Sequence, residues 1–227
     1  MQENHKTPLG QSGKPVLVLT TKSCCGGPLD PSDPRCESAD FYSLADLDDA
    51  TLATYRGIYV AGWCDQIFLE SQREKLTHFV EEGGRLFFNG HPERAALGNF
   101  PSYRKLDFRG MDDLSLHRVG EHPIWEGVDY QDLWLKTGVP GSHDIEALKK
   151  IGVAGFYARA YLSDVPAGAQ VIGAIGPHKL PVDIAYPVGA GEVVYHCGLE
   201  LLIFNYPDKS TKNLVDNLFA WLAGGAK

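Results

Sequence analysis

The chain has 227 residues, 44% of them hydrophobic and 22% charged, and a formal net charge of −8. These values fit a soluble globular protein of one generous domain, large enough to need neither disulfides nor metal for its core. The acidic balance, with no Lys/Arg cluster, excludes a nucleic-acid surface, and no apolar run nears the ~20 residues of a membrane span.

The opening stretch, MQENHKTPLGQSG, lacks the apolar core of a signal peptide and reads as a disordered tail over residues 1–13, ahead of a single domain over 14–227. A cytoplasmic location is the expectation. The five Cys are odd in number and irregular in spacing, unlike a secreted disulfide framework.

Pro15 to Thr21 (PVLVLTT) predicts a buried parallel strand. Lys22 to Asp40 is a long Gly/Pro/Asp/Ser loop, and loops beyond about 12–15 residues are often functional. A short second strand is expected within Phe41 to Leu47, then one or two helical turns from Asp49 to Tyr55. Gly57 to Gly62 (GIYVAG) is the next buried strand. Ser71-Gln72-Arg73-Glu74 has the form of a capping box, and Leu69, Leu76, Phe79 and Val80 follow on one helical face. Gly83-Gly84 ends the helix, and Arg85 to Asn89 (RLFFN) is the following strand. Two strands joined by a crossover helix lie parallel, with ligands beyond their carboxyl ends.

Residues 98–150 carry many Gly, Pro and aromatic positions and at most short strands such as Leu114 to Val119, the pattern of an irregular insertion. Gln170 to Gly176, Val182 to Tyr186 and Glu192 to Cys197 predict three further strands, with a hairpin turn at Gly189-Ala190-Gly191. A last helix is expected from about Lys209 to Leu222.

Four segments carry a resemblance to a known family. They are PVLVLTT, the unit ending in FVEEGGRLFFNG, HPIWEG at His122 to Gly127, and VGAGEVVYHCGLE at Val188 to Glu200. In this order the chain resembles the glutamine-amidotransferase-like superfamily (class I), and within it the ThuA-like branch linked to sugar utilisation. The resemblance implies a flavodoxin-like three-layer α/β sandwich with a mostly parallel central sheet, the irregular insertion, and a C-terminal antiparallel strand group. It also exposes departures. Amidotransferases carry a nucleophilic Cys in a Gly-x-Cys-x-Gly elbow after the strand that follows the Gly-Gly helix. Here that strand ends Phe88-Asn89-Gly90-His91. The late His-Pro-Glu of such enzymes is echoed by His196, Cys197 and Glu200, without Pro and with Glu displaced. Standard glutaminase activity is therefore not expected.

The candidate catalytic residues are His91, His196, Cys64, Glu93 and Glu200. His91 and His196 each follow a strand on one sheet edge and suit acid–base work, since imidazole titrates near neutrality. Glu93 or Glu200 would support them, or join them around a divalent metal, although the spacing has no metal signature and no cofactor is expected. Cys64, at a strand end beside a helix start, suits a nucleophile of lowered pKa, or a buried structural thiol. The candidate ligand-binding residues are Cys24, Cys25, Gly26, Trp63, Asp65, Asn89 and Arg94. Cys24-Cys25-Gly26 follows the first strand, where α/β folds place ligand loops. With Cys36 it brings three thiols together, without C-x-x-C spacing. Arg94 offers a planar fork to a carboxylate or sugar hydroxyl. Trp63, Trp125, Trp134, Tyr157 and Tyr161 are either sugar-stacking platforms or core, and His122 reads as a loop-shaping residue.

The expected partner is a small polar, carbohydrate-derived molecule that the protein acts on or binds; a homo-oligomer stays open, and nucleic acid and membrane are not expected. The competing readings are a Cys64-dependent hydrolase or amidase and a non-catalytic binding module.

Overall fold

The computed structural model describes residues 12–20, 34–43, 47, 49–62, 64–136, 144–151 and 155–224. The strands are β1 (Val16–Thr20), β2 (Ala39–Ser43), β3 (Gly57–Val60), β4 (Arg85–Asn89), β5 (Ser102–Lys105), β6 (Leu116–Arg118), β7 (Leu135–Lys136), β8 (Gly155–Phe156), β9 (Ala160–Ser163), β10 (Gln170–Ile175), β11 (Leu180–Val188) and β12 (Gly191–His196). The α-helices are α1 (Asp49–Leu52), α2 (Gln66–Ser71), α3 (Arg73–Glu81), α4 (Ile145–Ile151) and α5 (Leu214–Leu222).

Eight strands form the central sheet, in the order β2-β1-β3-β4-β12-β11-β10-β6. From β2 to β12 every pairing is parallel. From β12 to β6 the sheet is antiparallel. β5 pairs with β9, and β7 with β8, in two small antiparallel sheets. The flavodoxin-like α/β class expected from the sequence is the one observed. The two-residue turn at Gly189-Ala190 joins β11 to β12 as an antiparallel hairpin.

Side chains alternate across each strand, so each buried strand feeds two cores. Leu86 and Phe88 of β4 pack with Leu69, Leu76, Phe79 and Val80 on the α2/α3 face. Phe87 packs on the other face with Tyr59, Trp125 and the α5 residues Leu218 and Leu222. Burying one such side chain contributes roughly 1.5–3 kcal/mol. Asn89 and His196 end their strands in phase with Phe87 and Val194, so both point to the Trp125 face.

Two local expectations change. The capping box at Ser71 does not form. Asp65 caps α2 instead, its carboxylate accepting the Ile67 and Phe68 N–H groups at 2.9 and 3.2 Å. The helix is already running by Ser71, whose hydroxyl donates back to the Phe68 carbonyl at 2.6 Å. The last helix opens with a 3-10 turn, Ser210–Asn213, before α5. Within residues 98–150, β6 becomes the edge strand of the main sheet and Trp125 enters the core, so this stretch is built into the domain. Among the described residues, no helix is long and apolar enough to cross a membrane.

Candidate functional site

The carboxyl ends of β3, β4 and β12 meet around Glu200. One carboxyl oxygen of Glu200 accepts the Gly62 N–H at 2.9 Å, just past β3. The other accepts the side-chain amide of Asn89, the last residue of β4. The Asn89 amide is oriented without ambiguity. Its oxygen accepts the Leu201 N–H at 3.1 Å, so its nitrogen must face Glu200 and the Tyr59 hydroxyl. Glu200 is 4% exposed. Burial raises its pKa to about 8, opposed by the Gly62 N–H. At neutral pH it is mostly a neutral acid, since desolvation penalises the charged form.

His196, the last residue of β12, lies directly opposite Asp183 of β11 in the antiparallel register. Its Nδ1 is 2.6 Å from the Asp183 carboxylate, and its Nε2 is 2.7 Å from the Leu199 carbonyl, to which it must donate. The Tyr130 and Tyr157 hydroxyls donate to the same carboxylate at 3.0–3.1 Å. Both His196 nitrogens are thus engaged, and the residue is fully buried. The imidazole anchors the turn that delivers Glu200. Gly198 lies in that turn, where a Cβ would come 2.1 Å from the Tyr157 carbonyl oxygen.

His91 follows β4 after Gly90, whose φ of +100° favours glycine. A Cβ at Gly90 would also lie 3.2 Å from the Gly62 carbonyl. His91 is half-buried, its ring stacked parallel on Tyr103 with centroids 5.0 Å apart. Partial burial pulls its pKa below the ordinary 6.5. His196 and Lys105 act in the same direction and Glu93 in the opposite one. The imidazole is therefore neutral at pH 7, the state a general base requires. A small cleft of about 140 Å³ opens beside it, walled by Gly155, Phe156, Arg159, Gly198 and Leu199.

The remaining expected residues fall elsewhere or are otherwise engaged. Glu93 is exposed and accepts the Tyr103 hydroxyl. Arg94, expected to bind a ligand, pairs through one guanidinium nitrogen with Glu70 at 2.7 Å. Asp65 is the α2 cap described above. The Cys64 sulfur is buried 3.1 Å from the Leu19 carbonyl, the environment of a structural thiol. Cys36 is buried, and so is Cys197, whose thiol burial pushes well up. Trp125 and Tyr157 are fully buried in the core, their polar atoms bonded to each other at 3.2 Å, so neither offers a face to a sugar. Trp134 and Tyr161 pack partly against the same core. His122 caps the 3-10 turn Pro123–Trp125 through its Nδ1 and packs edge-on against Trp125 and Trp221. Burial, and then Arg85, push its pKa down to about 4. Cys24, Cys25, Gly26 and Trp63 lie outside the described residues.

Among the described residues, no three His, Cys, Asp or Glu side chains converge as metal ligands. The oxygens of Glu200 and the nitrogens of His196 already have protein partners, so this set does not fit a divalent metal. Sequence reasoning missed Asp183, Tyr103, Phe156 and Arg159. Asp183 had a signal, a lone acid inside the apolar strand VDIAY. Arg159 had none, because its position depends on how the β8 to β9 segment packs.

A larger cavity of about 560 Å³ lies at the opposite end of β3 and β4, beside Arg56, Lys75, His78 and Arg85. There Arg56 and Arg85 donate to the Ala223 and Trp221 carbonyls. These charges complement the carbonyl end of α5. The chemistry, unlike the volume, gathers at the carboxyl edge.

No protein-family model matches the sequence, and no curated protein matches it. Solved structures do. A glutamine amidotransferase from Thermotoga maritima superposes with a TM-score of 0.53 at 10% identity, over 92% of this chain and 97% of that one. A cytoplasmic protein from Salmonella typhimurium gives a TM-score of 0.51 at 12% identity, over 91% of this chain and 98% of its own. At such identities the likeness is one of fold, and the chain has an amidotransferase-like α/β fold.

Proposed function

We propose that the protein is a ThuA-like member of this fold that binds and acts on a small polar, carbohydrate-derived molecule at the carboxyl ends of β3, β4 and β12, without glutaminase chemistry. The observation that most supports this is the pairing of two neutral groups at one edge. His91 is an imidazole held below its ordinary pKa beside the cleft, and Glu200 is a buried carboxyl held above its own. Titratable groups pushed in opposite directions mark acid and base roles. His91 is the base that takes a proton from the bound molecule, and Glu200 is the acid of the pair. The strand end expected to carry an amidotransferase nucleophile reads Phe88-Asn89-Gly90-His91, without a cysteine.

The test is a panel of sugars, sugar acids, sugar phosphates and amino acids, read as shifts in melting temperature, because a specific ligand stabilises by mass action. At least one carbohydrate derivative is expected to shift the wild type and to lose that effect in His91→Ala, while glutamine releases no ammonia. An undiminished shift in His91→Ala would remove the proposal.

A second reading has one observation in its favour. The strand end Phe88-Asn89-Gly90-His91 has no cysteine and Cys64 is bonded into the core, as suits a module that binds without turnover. Binding that depends on His91, with no conversion of any bound compound, would select it. A Cys64-dependent hydrolase requires instead that iodoacetamide label Cys64 in the folded protein.

A further inference from the structure

The cleft beside His91 has an unusual wall. Arg159 is exposed and lies between β8 and β9. Its guanidinium carbon sits 5.2 Å from the Phe108 ring centroid and 5.5 Å from that of Phe156. Its backbone is fixed as well, the carbonyl accepting the Leu106 N–H at 2.9 Å. Aromatic faces attract a guanidinium within about 6 Å and hold its plane, but they leave its N–H donors unsatisfied. Among the described residues Arg159 forms no ion pair. Arg94 pairs with Glu70, Arg118 with Glu121, and Arg85 bonds a helix-end carbonyl; what sets Arg159 apart is the pair of aromatic rings that hold it and the cleft that it lines.

Lys105 and Glu93 act on His91 in opposite senses, Glu93 the more strongly. The positive charge at the cleft is therefore that of Arg159 itself, the one permanently charged side chain among the described residues that line it. At about 140 Å³ the cleft has the volume of roughly four or five waters. It can hold the end of a ligand, not the whole of one.

We infer that the molecule received at this edge carries a terminal oxyanion, a carboxylate or a phosphate, and that Arg159 is the residue that binds it, with His91 beside the adjoining carbon skeleton. The inference rests on the site reading above and adds the ligand's charge. A planar fork suits either oxyanion through two parallel N–H···O bonds.

Glucose, glucuronate and glucose 6-phosphate, three probes on one sugar ring, separate neutral, carboxylate and phosphate ligands. Calorimetric titration and melting shifts would be compared for wild type, Arg159→Ala, Arg159→Lys, His91→Ala and Arg94→Ala. One charged probe is expected to bind at least about tenfold more tightly than glucose, a difference of about 1.4 kcal/mol. Arg159→Ala abolishes that preference, Arg159→Lys restores part of it, added salt weakens it, and Arg94→Ala leaves it unchanged. Glucose binding as well as both charged probes, undiminished binding to Arg159→Ala, or no binding of any probe at millimolar concentration would each overturn the inference. Glucose binding lost in His91→Ala but retained in Arg159→Ala would overturn it while leaving the site reading intact. Charged probes indifferent to both substitutions would remove both.

Discussion

Asp183 and Glu200 are two buried carboxyls close together in the fold, and their surroundings differ in kind. Asp183 faces His196 across the β11/β12 register and receives two tyrosine hydroxyls. Among the described residues Glu200 receives one backbone N–H and one side-chain amide, and no cation pairs with it. A carboxylate with three strong partners is a structural anchor. A carboxyl with two neutral donors in an apolar setting gives up its charge and becomes an acid near neutral pH. Burial alone therefore does not separate framework from chemistry; the partner set does.

The sharpest way to break this comparison is to remove the anchor. Asp183→Ala leaves the His196 Nδ1 and the two tyrosine hydroxyl donors without their buried partner, and removing one member of a buried pair costs about 3–5 kcal/mol. Burial and then Asp183 hold the Tyr157 hydroxyl well above its ordinary pKa, so it remains a donor that has lost its acceptor. The urea midpoint should fall with an unchanged slope, the mark of lost stability in a protein that still unfolds cooperatively. A loss under about 1 kcal/mol would mean that water or a rearranged neighbour replaces Asp183.

Glu200 tests the other half through pH. Its folded pKa, about 8, lies above its ordinary 4.5. Below pH 4.5 both folded and unfolded chains hold the proton. Between 4.5 and 8 only the folded chain keeps it, so stability falls as pH rises, by up to about 1.4 kcal/mol per pH unit from this group. Above 8 the contribution levels off. Glu200→Gln removes the titration, so the difference between wild type and variant should follow that slope in stepped-pH denaturation. A difference flat from pH 4.5 to 8 would mean that Glu200 is ionised throughout and belongs with Asp183 as framework.

The two clusters were unequally legible in the sequence. Strand periodicity and Gly-Gly punctuation located β3, α3 and β4, because short apolar runs and helix stops are local signals. From these followed the placing of Asn89, His91 and His196 at one edge. The partner sets were not legible. Nothing in YHCGLE says that both His196 nitrogens are bonded, since Asp183 reaches His196 only through the hairpin register. The capping box at Ser71 was a plausible local pattern defeated by an earlier cap, Asp65. Arg94 read as a ligand-binding fork because Glu70, on α2, is 24 residues away in sequence. Arg159 went unread for the converse reason: its aromatic supports come from two separate segments, at Phe108 and Phe156.

The smallest effect concerns Arg94 and its ion pair with Glu70. Arg94 and Glu70 are 49% and 36% exposed at the side chain. An exposed ion pair contributes about 0–1 kcal/mol, because water screens it and ordering two long side chains opposes it. The Arg94 backbone N–H is held separately by the Gln66 side chain at 3.1 Å, which also accepts the Glu93 N–H. Arg94→Ala therefore keeps the loop after His91 in place and should lower stability by less than about 0.5 kcal/mol. Gln66→Ala, by contrast, frees two backbone N–H groups and the His91 carbonyl that its amide nitrogen reaches at 2.7 Å. It should therefore weaken ligand binding without touching the ligand. Calorimetric titration of both variants distinguishes the roles: if Arg94→Ala weakens binding as much as Gln66→Ala does, then the Arg94 charge reaches the ligand and the Glu70 pair is not its resting partner in solution.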